Sequence, residues 1–378
     1  MKKHYMFSAP GRTEISGNHT DHQHGCVLAG AVNLETVADV VLRQDNKIVI
    51  RSEGYPEFVV SIDDLTIHTD EQNSTAALVR GIAAAFAERG AKLSGFEASI
   101  RSTVLPGSGL SSSAAFEVLI ATICNELFFD SKLDPVEIAQ IGQWAENVYF
   151  GKPCGLMDQT ASSVGGLVFI DFADTQSPIV EKINFDFASA GHALCIIDSG
   201  ADHADLTDEY AAIPGELKAL CALYDKEYLR QIPKDEFIAK LPEVRGKVTD
   251  RAILRAFHIY NENDRVARQV KALKENDFPS FLKLCTQSGH SSWMYLQNIC
   301  PAGYVQHQDV GFVLALCDEL LQGRGAYRVH GGGFAGTVQA FVPSDMLDTF
   351  KTEIERHLGA GSCHVLSIRQ DGGIQITK

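Results

Sequence analysis

The chain has 378 residues, 45% apolar and 21% charged, a balance that suits soluble globular structure and a length that allows two domains or one large one. Its formal charge of −15, from 48 acidic against 33 basic residues, argues against a nucleic-acid groove or an anionic membrane as the main partner; backbone N–H groups and a bound cation can still hold a phosphate. Nine cysteines with no C-x-x-C pair read as free thiols, and no run approaches the roughly 20 apolar residues of a membrane span, so a cytoplasmic protein is expected.

MKKHYMFSAPGR starts with charge but has no apolar stretch of signal-peptide length. Gly11–Gly25, GRTEISGNHTDHQHG, then packs three histidines, two carboxylates and an asparagine around a single strongly apolar residue, Ile15. Such a cluster must hold something polar, either a metal ion or a polyhydroxylated ligand. Strands are predicted over 25–43, in KIVIRS and in EFVVSI, with Gly54-Tyr55-Pro56 turning the chain between the last two. Ser74 to Gly90 predicts a helix with Ser74 as its N-cap, and FEASIRSTV a strand running into Leu105-Pro106-Gly107. Ser111 to Phe129 reads as a buried helix, and Pro135 to Tyr149 as another, capped by Asp134. GGLVFIDF and HALCIIDS are core strands on either side of a polar stretch. Helical patterns follow near 205–224, 249–275, 278–297 and 304–322, and then a strand pair, YRVH and TVQAFV. The mixture predicts an α+β protein divided near residue 190, into 1–190 and 191–378.

LPGSGLSSSAAFEV (105–118) is the strongest local signal. A strand ends, small residues turn the chain, and serines open a buried helix: either a capped helix after a tight loop, or a place where unpaired N–H groups and the positive helix end meet an anion. No lysine follows as in a P-loop, so magnesium and backbone dipoles would have to compensate phosphate charge. A second glycine run, VHGGGFAG (329–336), marks either a close backbone approach or a wide hairpin turn. In CGLMDQTASSVGG, Asp158 is either a turn residue or a positioned base. Glu146, twelve residues earlier, reaches the same site if the chain doubles back at Gly151-Lys152-Pro153. A phosphate cradle, metal ligands, a group for the nucleophilic hydroxyl and a cation are the parts that phosphoryl transfer needs.

Read in order, these segments resemble the GHMP kinases, and within them the galactokinases. APGRTEISGNHTD is similar to the family's G-R-V-N-L-I-G-E-H-T-D, PGSGLSSSAAFEV to its ATP loop, CGLMDQ to C-G-I-M-D-Q, and HGGGFAG to G-G-G-F-G-G. LVRGI, RAFHIYNENDRV, TQSGHSS and the final DGG are weaker echoes. The resemblance implies an N-terminal α/β lobe and a ferredoxin-like C-terminal lobe with the active site in the cleft between them. It also implies ATP and Mg2+ as cofactors and a small sugar as substrate, phosphorylated at its anomeric hydroxyl. Neither nucleic acid nor membrane is an expected partner, and the sequence does not fix the oligomeric state, a monomer being compatible with it.

Carried over residue by residue, Asp158 would orient or deprotonate that hydroxyl and Arg12 would polarise it. Gly107, Ser108, Gly109, Leu110, Ser111, Ser112, Ser113 and Ala114 would form the phosphate loop, with Ser113 and Glu146 on magnesium. Asn18, His19, Asp21, Gly155 and Tyr210 would contact the sugar. The departures are Glu14 where the family has asparagine, Asn18 where it has glutamate, Ser16, His22-Gln23, Ala335 and Thr337. They bear on the sugar rather than on the reaction. Galactose is the expected substrate, with galacturonate, fucose and arabinose as alternatives. Two other classes are a non-catalytic sugar and ATP sensor, and a zinc hydrolase using His19, Asp21 and His22, with His24 as a further ligand.

Overall fold

The computed structural model describes residues 3–105, 107–201 and 206–377, the side chain of Thr377 excepted. Pro106 of the expected turn lies outside them.

The chain begins with β1 (His4–Ser16), β2 (Cys26–Leu42), β3 (Lys47–Ser52) and β4 (Phe58–Ser61), followed by α1 (Thr75–Glu88) and β5 (Phe96–Ser102). Then come α2 (Ser112–Phe128), α3 (Pro135–Ala145), α4 (Met157–Val164), β6 (Leu167–Asp171), β7 (Ile179–Ile183) and β8 (His192–Asp198). The second half holds α5 (Thr207–Ala222), α6 (Lys234–Val244), α7 (Asp250–Lys274), α8 (Phe278–Ser291) and α9 (Asp309–Leu321). It ends with β9 (Ala326–His330), β10 (Thr337–Pro343), α10 (Leu347–Leu358), β11 (Cys363–Leu366) and β12 (Ile374–Thr377).

Two compact units emerge, each built from more than one segment: 1–12, 30–168 and 368–378 form the first, 13–29 and 169–367 the second. The sequence suggested a single division near residue 190. The reason for the interleaving is that the last strand returns to the first, with Phe7 opposite Gln375 and Ser8 opposite Ile374.

In the first unit the strand order is β12-β1-β2-β5-β3-β4, antiparallel at β2–β5 and parallel at β3–β5. Phe7, Val40, Ile48, Ile50, Phe96 and Ala98 of this sheet pack on Val79, Ile82 and Phe86 of α1 and on Val118 to Cys124 of α2. Burying such side chains contributes roughly 1.5–3 kcal/mol each. α3 starts where the sequence placed it: Asp134 accepts from the N–H groups of Val136 (2.8 Å) and Glu137 (2.9 Å), the Glu137 carboxylate accepts from Asp134 N–H, and Pro135 needs no acceptor. The predicted helix 135–149 does not stay regular to its end, because Glu146–Phe150 widens into a π turn closed by Gly151 at φ 88°.

In the second unit β11-β8-β10-β9 form an antiparallel sheet. With α9 and α10 the order β8-α9-β9-β10-α10-β11 is a ferredoxin-like arrangement, around a core of Ile197, Val313, Leu314, Val329, Val338 and Phe350. A second cluster, including Ile213, Leu217, Phe237, Ala256 and Ile259, joins α5, α6 and α7.

Candidate active site

The phosphate-loop candidate sits in the first unit, ahead of α2. Gly107 (φ 74°), Gly109 (φ 70°) and Ser111 (φ 55°) alternate into left-handed backbone. Ser111 makes no side-chain cap, so its hydroxyl leaves the N–H groups that open α2 unsatisfied. The Ser108 hydroxyl donates to Leu105 O (2.7 Å) and stiffens the turn. Ser108, Leu110 and Ala114 are buried, whereas Gly107, Gly109 and Ser113 are exposed. What this loop presents is therefore backbone amides and the Ser113 hydroxyl.

Arg12 is fixed to the loop by its own main chain, donating from N to Leu110 O (2.9 Å), and by Nη1, which donates to Gly109 O. Its Nε and Nη2 hold the two carboxylate oxygens of Asp158 at 2.7 and 2.6 Å, a bidentate fork. Burial pushes the Asp158 carboxyl up, but the Arg12 charge and hydrogen bonds and the Ser111 hydroxyl outweigh it, and Asp158 titrates below the ordinary carboxylate value. Its side chain keeps 30% of its surface exposed, so an ionised oxygen remains approachable.

The chain does double back at Gly151-Lys152-Pro153. Gln159, next to Asp158, donates from Nε2 to Glu146 Oε2 (3.0 Å) and to Glu117 Oε2 (2.9 Å). Gln143 holds Cys154 O (3.1 Å) and Asn147 takes Cys154 N–H (2.7 Å), fixing the backbone that leads into Gly155. Glu117, Gln159 and Lys152, whose Nζ lies 3.8 Å from Glu146, were not singled out from the sequence. Glu117 is the buried one of only two charged residues in a nearly all-apolar helix, a signal that could have found it. Burial first, and the Glu146 charge second, raise its carboxyl well above the ordinary range.

The hydroxyl-binding candidates Asn18, His19, Asp21 and Tyr210 belong to the second unit. Gly17 turns the chain at φ 103°, and a Cβ there would stand 2.6 Å from Cys26 O. Thr20 Oγ1 donates to Gly17 O (2.8 Å) and Cys26 O (2.6 Å), closing the loop. One helix secures this segment: on α7, His258 Nε2 bonds Asn18 O (3.0 Å), Glu262 accepts from Ser16 Oγ and Gly17 N (3.1 Å each), and Asn263 Oδ1 accepts from Cys26 N (2.8 Å). RAFHIYNENDRV thus supports the first motif, a role its weak resemblance did not reveal.

The glycine run 331–333 offers its carbonyls to the same residues. Asn18 Nδ2 donates to Gly331 O (2.7 Å), His19 Nε2 bonds Gly332 O (3.0 Å) and Tyr210 OH donates to Gly333 O (2.7 Å). Burial, and then the neighbouring His22, lower the His19 pKa to about 4, so its imidazole is neutral at pH 7. With Nε2–H on Gly332 O, the partnerless buried Nδ1 is a bare acceptor. The three histidines diverge: His22 is 45% exposed and paired loosely with Asp21 (3.7 Å), while His24 stacks on Tyr228 at 3.8 Å. Among the described residues no group of three His, Cys, Asp or Glu stands ready for a metal ion.

Residues 77–166 match the GHMP kinases N terminal domain, and residues 1–40 the galactokinase galactose-binding signature. The galactokinase of Thermotoga neapolitana is 32% identical over 353 residues, 92% of this chain and 92% of that one. That of Streptomyces coelicolor is 30% identical, over 93% of this chain and 87% of the relative. Lactococcus lactis galactokinase, solved in complex with galactose, superposes with a TM-score of 0.81 at 22% identity, over 99% of this chain and 95% of that one. A mevalonate kinase structure follows at TM-score 0.69 and 13% identity, over 97% of this chain and 99% of its own. The phosphate loop, the Arg12–Asp158 fork and the first motif therefore stand in a chain that belongs to the galactokinase family of the GHMP kinases and is a phosphotransferase.

Proposed function

We propose that the protein transfers the γ-phosphoryl group of ATP to the anomeric hydroxyl of D-galactose, giving galactose 1-phosphate and ADP. The observation that carries this reading is the Arg12 fork, which ties Asp158 to the loop offered to the phosphates. In a loose phosphoryl-transfer transition state the nucleophile needs little deprotonation before the O1–Pγ bond forms and the bond to ADP breaks. Asp158, kept ionised, accepts the hydroxyl hydrogen bond and orients O1, taking the proton as the new bond forms. Arg12 meets the negative charge that develops beside it. His19, Asp21, Gly155 and Tyr210 are the candidate sugar contacts, and Gly107 to Ala114 the phosphate cradle.

Magnesium fits the oxygen donors here. Glu146 accepts from Gln159 through one carboxylate oxygen and has Lys152 Nζ 3.8 Å from the other, and Ser113 is exposed in the loop. Ser113 and Glu146 would hold the ion with waters and phosphate oxygens. When bound, it supplies charge neutralisation to the transferring group. The nine unpaired cysteines suit a reducing compartment, the cytoplasm, and no helix among the described residues is long and apolar enough to cross a membrane.

ATP consumption measured over galactose, galacturonate, fucose and arabinose tests the proposal. The expected result is a kcat/KM for galactose that exceeds the others, with Asp158→Asn abolishing turnover while sugar binding persists. A galacturonate preference overturns the substrate, and binding without turnover of any sugar overturns the enzyme in favour of a sensor.

A further inference from the structure

Two departures from the family pattern in the first motif are a single exchange. Where galactokinases carry asparagine and, four residues later, glutamate, this chain carries Glu14 and Asn18. In the second unit the two heads touch, Asn18 Nδ2 donating to Glu14 Oε1 at 3.2 Å. The same carboxylate oxygen accepts from Arg328 Nη2 at 2.6 Å, and Arg328 Nη1 donates to Ile15 O at 2.9 Å. Arg328 is fully buried and Glu14 4% exposed, so solvent and salt screen this ion pair little.

Asn18 itself is fully buried and has nothing left to offer a ligand. Its two amide hydrogens go to Glu14 and to Gly331 O (2.7 Å), and its oxygen accepts from Asn298 Nδ2 (2.8 Å) and Ser292 Oγ (3.2 Å). That is the whole capacity of a carboxamide. Asn298 in turn donates to Gly332 O (3.1 Å), the carbonyl that fixes the tautomer of His19.

We propose that Glu14 and Asn18 form a transposed acid–amide pair whose charge is held by Arg328, and that Asn18 is a positioning residue that sets the Gly331–Gly332 backbone and, through it, His19, rather than a sugar ligand. The negative charge of the motif has moved to a buried partner, and the place it vacated is filled by protein hydrogen bonds. No opening for a uronic acid carboxylate results. Discrimination passes to His19 Nδ1, an acceptor that suits a hydroxyl donor and disfavours a carboxylate. This inference rests on the galactose reading for its kinetic arm only.

The test is a cycle of Glu14→Asn, Asn18→Glu and the double variant, read by thermal midpoint and by sugar kinetics. Either single change is expected to lower Tm by about 5 °C or more, one by leaving Arg328 without its acid, the other by setting two carboxylates against each other. The double variant should recover more than half of the summed loss. In the single variants KM for galactose should rise more than kcat falls, with KM for ATP unchanged, and the double variant should restore it. Purely structural damage would lower the active fraction, hence kcat, and leave both KM values. Additive Tm losses, or Asn18→Glu with parental Tm, overturn the proposal. Should a single variant fail to fold, Glu14→Gln and Asn18→Asp complete the same cycle by urea midpoints. If none of the variants nor the parent turns over galactose, the Tm cycle still decides the pairing, and the substrate reading alone has failed.

Discussion

Arg12 makes two contacts to the phosphate loop and two to Asp158, so its side chain sets a geometry as well as a charge. Lysine in its place keeps the charge and loses the planar fork. Arg12→Lys should therefore lower kcat by about 100-fold, the scale of losing one preorganised donor, while the protein stays folded; retention of half the parental rate would refute the assignment. The pH dependence carries a sign. Asp158 titrates below its ordinary value because Arg12 overcomes burial, so the acid limb of kcat/KM should not reflect Asp158 above pH 3.8 in the parent. In Arg12→Met burial remains and its compensation is gone, so the limb should move above that value, as a pH–rate profile would show. Arg12, Asp158 and the loop were legible because each lies in a short contiguous motif. Arg328 and Asn298 were not, because the first-motif residues they hold, Glu14 and Asn18, lie more than 270 residues away in the chain and nothing local marks them.

Helix α7 shows the same limit at the scale of an element. Its 25-residue length was readable from periodicity, but not the reason for placing His258, Glu262 and Asn263 on one face. Glu262 is the centre of that face, buried and engaged by Ser16, Gly17, Ser288 and Arg265. Burial raises its pKa, yet Arg265 and its other partners win and bring it down to about 2. A depressed carboxyl contributes stability that is complete above its unfolded value near 4.5 and is lost as pH falls toward 2. Glu262→Gln should therefore cost about 3 kcal/mol at pH 7, the scale of breaking a buried pair. Urea midpoints of the two proteins should converge between pH 4.5 and pH 2, and a constant gap over that range would exclude this role. The π turn at Glu146–Phe150 was likewise hidden, since its residues fit an ordinary helical pattern and only the widened turn distinguishes it.

At the scale of the molecule, the class of fold was legible and its closure was not. Strands and helices mixed without strict alternation announced an α+β chain, while the pairing of β12 with β1 joins residues near opposite ends that no local pattern connects. Net charge was legible throughout, and it makes a prediction of its own. A molecule with formal charge −15 must take up a polyanionic nucleotide without a basic field to draw it in. With the site proposed above, its affinity for the nucleotide would rest on short-range contacts, namely loop amides, Arg12 and a chelated ion, which salt screens little. The long-range field is repulsive, and a Debye length of about 10 Å at 0.1 M salt removes most of it. KM for the magnesium complex of ATP should consequently stay level or fall as ionic strength rises from about 10 to about 150 mM, the reverse of a site steered by lysines and arginines. KM for the uncharged sugar, measured in the same series, should not move. A KM for nucleotide that climbs several-fold with salt would mean that basic side chains, rather than backbone dipoles and the metal, carry the phosphates.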